Sequence, residues 1–122
     1  MSQGRGSAVV VAAAVVLCLM VVTAEAATYT VGGAGGWTFN SVGWPNGKRF
    51  RAGDILVFNY NPQGHNVVSV NKAGYDSCKA PAGARVFSSG KYQIKLVKGQ
   101  NFFICSLPGH CGSGMKIAVT AA

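Results

Sequence analysis

One short loop near the carboxyl end constrains the fold of this chain most strongly, because it places three metal-binding side chains within eleven residues. It reads Cys105-Ser-Leu-Pro-Gly-His110-Cys-Gly-Ser-Gly-Met115, so a cysteine, a histidine and a methionine recur at intervals of five. Glycine, serine and proline fill most positions between them, which is typical of a loop. Thiolate, imidazole and thioether are ligands that soft metal ions select. A fold that uses them must bring this loop beside at least one further ligand.

The ligand types favour copper. Two histidines and one cysteine in a trigonal set, with a weak axial methionine, form the blue-copper site of electron-transfer proteins. The loop supplies Cys105, His110 and Met115, and the only other histidine of the chain is His65. Structural zinc prefers four strong ligands, and a thioether is a poor one. We therefore predict that one copper ion binds these four residues and that the remaining chain carries His65 to the loop.

Each of these residues also has an ordinary explanation. A lone histidine commonly lies on the surface, Met115 would suit a plain core, and Cys105 would suit an inert buried thiol. Catalysis with Cys105 as nucleophile and His110 as base requires a third group that orients the base, and no Asp or Asn obviously does so. Three strong ligands and Met115 would leave no open position on the metal for a substrate. We therefore expect an electron carrier and not an enzyme.

The first 26 residues have the features of a secretory signal peptide. Arg5 precedes an apolar run over residues 8–22, and Ala24-Glu25-Ala26 fits the small-x-small cleavage rule. The run is short for a membrane-spanning helix, although an uncleaved anchor is the alternative. We predict a signal peptide over residues 1–26, one domain over residues 27–122, and secretion to the extracellular space.

Short apolar runs separated by Gly, Pro and Asn predict an all-β fold. They cover residues 28–31, 55–60, 66–70, 91–96, 101–105 and 115–120. Residues 91–96 alternate most cleanly between polar and apolar side chains. Residues 72–90 lack periodicity and are predicted to form a long connection with one helical turn near residues 75–79. Many short strands without an amphipathic helix predict a β-sandwich or barrel.

Three cysteines remain after the predicted cleavage, which implies one disulfide and one separate thiol in a secreted protein. Cys78, Cys105 and Cys111 allow three pairings. Neighbouring residues of an extended chain point to opposite sides, so Cys111 faces away from a metal that His110 faces. We therefore favour a Cys78–Cys111 bridge, which leaves Cys105 as the thiolate.

The charge balance is strongly basic, with a net charge of +8. After the predicted cleavage, ten Lys and Arg remain against Asp54 and Asp76. Such a charge favours acidic partners, such as a polysaccharide or an acidic redox protein, although it also suits solubility alone. Secretion and the absence of a run of basic residues argue against nucleic acid. The sequence up to Ala122 has no Pro/Ser-rich stalk and no hydrophobic tail, so we expect no membrane anchor once the signal is removed. We also expect a monomer.

Taken together, these residues resemble the phytocyanin family, the plant branch of the cupredoxins. The blocks that carry the resemblance are Val31-Gly-Gly, Gly36-Trp37, residues 52–60, His65-Asn-Val, Tyr75-Asp-Ser-Cys78 and residues 103–115. The resemblance implies a Greek-key sandwich of two sheets with type 1 copper on His65, Cys105, His110 and Met115. It also implies the Cys78–Cys111 bridge. Met115 stands where the stellacyanin branch has glutamine, and the short basic chain without a tail resembles the plantacyanin branch.

The expected function is the transfer of single electrons in the extracellular space of the plant cell wall. Leu107, Pro108 and Gly109 carry no charge and flank His110, so we expect the electron to leave through the His110 ring edge, past Leu107 and Pro108, to an unidentified redox partner. The alternative is an extracellular module that binds acidic cell-wall polysaccharide or that signals, and the resemblance to phytocyanins implies pollen-tube guidance as one such signalling role. In that alternative, copper is mainly structural.

Overall fold

The computed structural model describes residues 25–122, so the predicted signal peptide lies outside the described residues except for Glu25 and Ala26. The described residues form seven strands: β1 Thr28–Thr30, β2 Ile55–Asn59, β3 Val67–Val70, β4 Arg85–Phe87, β5 Lys91–Lys95, β6 Gly99–Ile104 and β7 Lys116–Ala121. In the same part of the chain, an α-helix, α1, covers Lys72–Ser77, and short 3₁₀ turns cover Gly33–Gly35, Ser41–Gly43 and Cys111–Ser113. Within residues 25–122, no helix has the length and hydrophobicity to cross a membrane.

The strands form two sheets, with the orders β1-β2-β5 and β4-β3-β6-β7. β1 runs parallel to β2, and every other pair of neighbouring strands is antiparallel. The chain crosses between the sheets after β2, β4 and β5, so β3 pairs with β6 and not with β2. This arrangement confirms the predicted Greek-key sandwich of two sheets.

The core lies between the sheets and is built around three aromatic rings. Trp37, Phe58 and Phe103 are almost fully buried. The ring of Phe58 makes edge-to-face contacts with Trp37 at 5.2 Å and with Phe103 at 5.3 Å between centroids. Aromatic pairs with this geometry stabilise a core beyond the area that they bury. Cys105 and Met115 belong to the same buried cluster. The loop of residues 105–115, the ligand loop, is therefore anchored in the core.

The six predicted strands agree with the structure to within two residues at each end. The burial of β5 alternates as its polar and apolar residues do, with Tyr92 and Ile94 on the inner side. β7 shows the same alternation, with Ile117 and Val119 buried. Period-two patterning therefore located the strands that have one face in the core.

The assignment of residues 72–90 was wrong in two details. Arg85–Phe87 forms an additional strand, β4, at the edge of the larger sheet. β4 has three residues, of which Arg85 and Val86 are exposed, and so it lacks a recognisable apolar pattern. The helix also begins earlier than predicted, at Lys72, because the side chain of Asn71 accepts a hydrogen bond from the Gly74 backbone N–H at 2.8 Å and caps its first turn.

Candidate metal centre

His65, Cys105 and His110 converge at one end of the sandwich. One ligand atom from each residue lies within 4.8 Å of the others. The two histidine Nδ1 atoms are 3.1 Å apart, and Cys105 Sγ is 3.5 Å from His110 Nδ1. Donor atoms that each lie about 2.0–2.3 Å from a shared ion in a trigonal set are separated by about 3.5–4 Å. The Cys105–His110 distance lies in this range and the two histidine nitrogens are slightly closer than it, so the donor set fits one soft metal ion if the two rings separate slightly.

A tight turn before β3 positions His65. The backbone N–H groups of Gly64 and His65 both donate to the carbonyl of Asn61, at 3.1 and 3.0 Å. The Asn61 side chain accepts a further hydrogen bond from the Gln63 N–H at 3.0 Å. Because β3 starts two residues later, the sheet fixes the chain immediately after His65.

Backbone hydrogen bonds hold the ligand loop closed. The Cys105 N–H donates to the Met115 carbonyl at 3.1 Å, and the Met115 N–H donates to the His110 carbonyl at 3.1 Å. The His110 N–H donates to the Leu107 carbonyl at 3.1 Å. Cys105 and Met115 are fully buried and share the core cluster with Leu107. The loop therefore keeps its sulfur side chains in the interior and turns His110 toward the surface.

Asn66 ties the two ligand-bearing segments together, a role that the sequence pattern did not indicate. Its Nδ2 donates to Ser106 Oγ at 2.9 Å, and its Oδ1 accepts from the Ser106 N–H at 2.9 Å. Its carbonyl accepts from Trp37 Nε1 at 2.8 Å. The residues that follow His65 and Cys105 are thereby joined directly. The only sequence signal was an Asn directly after a candidate ligand, and that signal does not specify a bridge.

Phe39 covers both histidines and was also not indicated by the sequence. Its ring makes edge-to-face contacts with His65 at 5.4 Å and with His110 at 4.8 Å between centroids. The ring is 41% exposed, so one side shields the histidines while the other faces solvent. The next residue, Asn40, donates its N–H to the Ser113 carbonyl at 3.3 Å and fastens this segment to the ligand loop.

Burial and charge keep His65 ready to bind a metal. Loss of hydration lowers the pKa of His65 from its ordinary value, and the neighbouring His110 lowers it further. A metal binds the neutral imidazole. His65 therefore stays in its binding form at a lower pH than a free histidine does.

The structure places the remaining predicted residues around this cluster. Cys78 and Cys111 form a disulfide with an S–S distance of 2.10 Å, which confirms the favoured pairing and leaves Cys105 free and buried. Cys111 packs with Val68 and Ile104 in a separate cluster, so it faces away from the metal-binding group. Leu107 and His110 are half-buried, and Pro108 is exposed beside them.

Comparisons with known proteins agree with this geometry. The family model of plastocyanin-like domains matches residues 37–115. A basic blue protein of Arabidopsis thaliana is 59% identical over 128 residues, which cover 99% of each chain. This chain belongs to the phytocyanin family.

Two further relatives place this phytocyanin in the basic blue, or plantacyanin, branch, as the sequence resemblance predicted. A chemocyanin of Lilium longiflorum is 59% identical over 126 residues, which cover 100% of both chains. The solved structure of cucumber basic protein, a blue copper protein, is 68% identical with a TM-score of 0.78. The match covers 79% of this phytocyanin and 100% of the cucumber chain.

Proposed function

We propose that this phytocyanin is a secreted type 1 copper protein that carries single electrons and is not an enzyme. His65, Cys105 and His110 would be the strong ligands, and Met115 would be the weak axial ligand. The observation that carries the proposal is the convergence of one buried thiol and two imidazoles within 4.8 Å. When bound there, copper would accept and release one electron by alternating between Cu(II) and Cu(I).

The residues around the site act by holding the ligands still. Cys105 and Met115 suit Cu(I), while the two histidines suit both oxidation states. The Asn66–Ser106 hydrogen bonds and the closed ligand loop fix the positions of these side chains before a metal arrives. Because such a site changes little between the two oxidation states, little energy is needed to rearrange it during transfer.

The direct test is to add Cu(II) to the purified secreted protein. The proposal expects an intense blue copper–thiolate charge-transfer band that saturates at one copper per chain. A colourless protein in which Cys105 is found in a disulfide would refute it.

Leu107 is proposed to lie on the path by which electrons leave. Its side chain packs against the core cluster that includes Cys105 and Met115, its carbonyl accepts from the N–H of half-buried His110, and its neighbour Pro108 is exposed. We expect Leu107→Glu to slow electron self-exchange between reduced and oxidised copies by about tenfold or more, because two like charges then meet where the His110 edges must approach. NMR line broadening of mixed redox states measures this rate and requires no identified partner.

Val97→Glu is the matched control, since Val97 is 65% exposed in the turn between β5 and β6, away from the ligand loop. Both variants should keep the blue band. An equal change of the self-exchange rate in both variants would argue against this exit.

A second candidate function, binding of acidic cell-wall polysaccharide, is favoured by a groove between the sheet-edge strands β4 and β5. The groove has a volume of about 220 Å³ and is lined by Arg85, Phe87, Tyr92, Gln93, Ile94 and Lys95. The Phe87 and Tyr92 rings stack at 3.9 Å, and the Arg85 guanidinium lies 5.3 Å from the Phe87 ring. In residues 25–122 the only ion pair joins Lys72 to Asp76, so the groove cations are available to a uronic-acid chain.

Binding to polygalacturonate tests this candidate. We expect the double variant Arg85→Gln/Lys95→Gln to weaken binding by about tenfold more than the charge-matched control Lys79→Gln/Lys98→Gln. High salt should weaken the binding of all forms, because exposed charges are screened. Equal losses in the two double variants would show that only net charge matters and would exclude the groove.

A further inference from the structure

Outside the metal centre, Asp54 is a buried carboxylate with an unusual set of partners. It is 3% exposed and lies directly before β2. Its Oδ1 accepts from the Ala27 backbone nitrogen at 2.9 Å, and its Oδ2 accepts from the Arg51 backbone nitrogen at 2.8 Å. No Lys, Arg or His side chain of residues 25–122 forms an ion pair with it. Both donors are uncharged amides, so the buried carboxylate has hydrogen bonds but no cation as a partner.

The cavity beside Asp54 also contains a second carboxylate in the uncut chain. Glu25 borders the same cavity, of about 200 Å³, which Ala27, Tyr29, Arg49, Arg51 and Asp54 complete. Two carboxylates, together with two arginines, therefore border one small space before cleavage. Glu25 belongs to the segment that the signal-peptide prediction removes.

We propose that Asp54 is the binding site for the new amino terminus that cleavage between Ala26 and Ala27 creates. Hydrolysis adds one water across this peptide bond, so Ala26 leaves with a carboxylate and the Ala27 nitrogen becomes an amine that takes up a proton. The resulting ammonium already lies at hydrogen-bonding distance from Asp54 Oδ1. The hydrogen bond from an uncharged amide becomes a partly buried ion pair, and the Glu25 carboxylate departs in the same step.

The backbone holds Ala27 in place for this contact. Its carbonyl accepts from the Ile55 N–H at 2.9 Å, and the next residue, Thr28, opposes Ile55 in the parallel pair of β1 and β2. β1 has only three residues and lies at the edge of its sheet. Chain termini fray unless they are tied down. The ion pair would fasten the first strand of the processed domain to the turn before β2.

The length of the cucumber structure agrees with the length of the processed domain. That whole chain corresponds to 79% of this one. Residues 27–122 make up 96 of the 122 residues, which is the same share.

The test uses the full chain, secreted from a eukaryotic host. Mass spectrometry of the purified protein identifies its first residue, which should be Ala27. A second form carries one glycine inserted between Ala26 and Ala27, so that cleavage after Ala26 moves the ammonium by about 3.8 Å and returns the Ala27 nitrogen to an amide. Both forms are also made with Asp54→Asn, and urea unfolding gives the ratio of folded to unfolded protein for all four.

With Asp54 present, we expect the inserted glycine to lower the folded-to-unfolded ratio by about tenfold, because an ammonium donates to the carboxylate only in the uninserted form and an uncharged amide does so in the inserted form. With Asp54→Asn, the insertion should change the ratio by less than about threefold. Asp76→Asn, at the exposed carboxylate paired with Lys72, is the matched control and should leave the tenfold effect intact. A first residue other than Ala27, or an insertion effect that is equal with and without the Asp54 carboxylate, would overturn the proposal.

If Asp54→Asn fails to fold, the comparison of the inserted and uninserted chains that keep Asp54 still tests the ion pair. A chain that tolerates the glycine without loss of stability has no ion pair at this position. The copper site takes no part in any arm, so this outcome is independent of the proposed electron transfer.

Discussion

Replacing Cys105 with serine should abolish the intense blue band of the copper-loaded protein and weaken copper binding by more than about 100-fold. The band arises from charge transfer between copper and a thiolate, and Cys105 is the free cysteine of residues 25–122. Loss of an outer hydrogen-bonding partner of a metal ligand already costs about 10–100-fold in affinity, so loss of a strong ligand should cost more. Absorption spectroscopy and competition with a copper chelator measure the two effects.

The fold should survive this substitution. Cys105 takes no part in the disulfide, and its backbone N–H would still donate to the Met115 carbonyl, so the junction of β6 with the ligand loop remains. Circular dichroism should show unchanged sheet content. Ser113→Ala, at an exposed residue of the same loop, is the control and should keep both colour and affinity. Retention of the blue band by Cys105→Ser would contradict the ligand assignment.

The sequence was sufficient to predict those parts of the fold in which side-chain pattern and burial coincide. β5 and β7 alternate in polarity because one face of each packs on the core. Glycine and proline marked the turns between strands. β4 was not predicted, because an exposed edge strand of three residues has no face in the core and therefore no alternation of polar and apolar residues. Only its antiparallel pairing with β3 in the folded structure identifies it as a strand.

The ligand set could be predicted for a different reason. Cys, His and Met are scarce in this chain, and their chemistry indicates copper wherever the fold brings them together. Phe39 and Asn66 lack such a signature. An aromatic ring over two imidazoles, or an amide that bridges two distant segments, is defined by tertiary neighbours that no local pattern contains. The partners of Asp54 could not be predicted either, because the residues next to it in sequence are typical only of a turn.

Removing the disulfide should produce the largest loss of stability. We expect Cys78→Ala/Cys111→Ala to reduce the free energy of unfolding of the copper-free protein by about 3–4 kcal/mol. The bridge joins residues 33 apart, and a closed loop of that length restricts the unfolded chain by about this amount in the chain-entropy model. Small domains have only about 5–15 kcal/mol in total, so the loss is a large share. Urea unfolding of both proteins without copper measures it.

The same variant separates stability from metal binding. Cys111 follows His110 directly, so the bridge anchors the ligand loop to Cys78, the residue after α1. Without it, Asn66, Phe39 and the backbone bonds of the loop still hold His110 near His65. We therefore expect the variant to keep the blue band but to bind copper more weakly, since ordering the freed loop now opposes binding. Copper should then raise the unfolding midpoint of this variant by less than it raises that of the unmodified protein. A variant as stable as the parent would show that the bridge does not stabilise the fold by restricting the unfolded chain. A variant that folds but never turns blue would show that the bridge does more than steady the ligand loop.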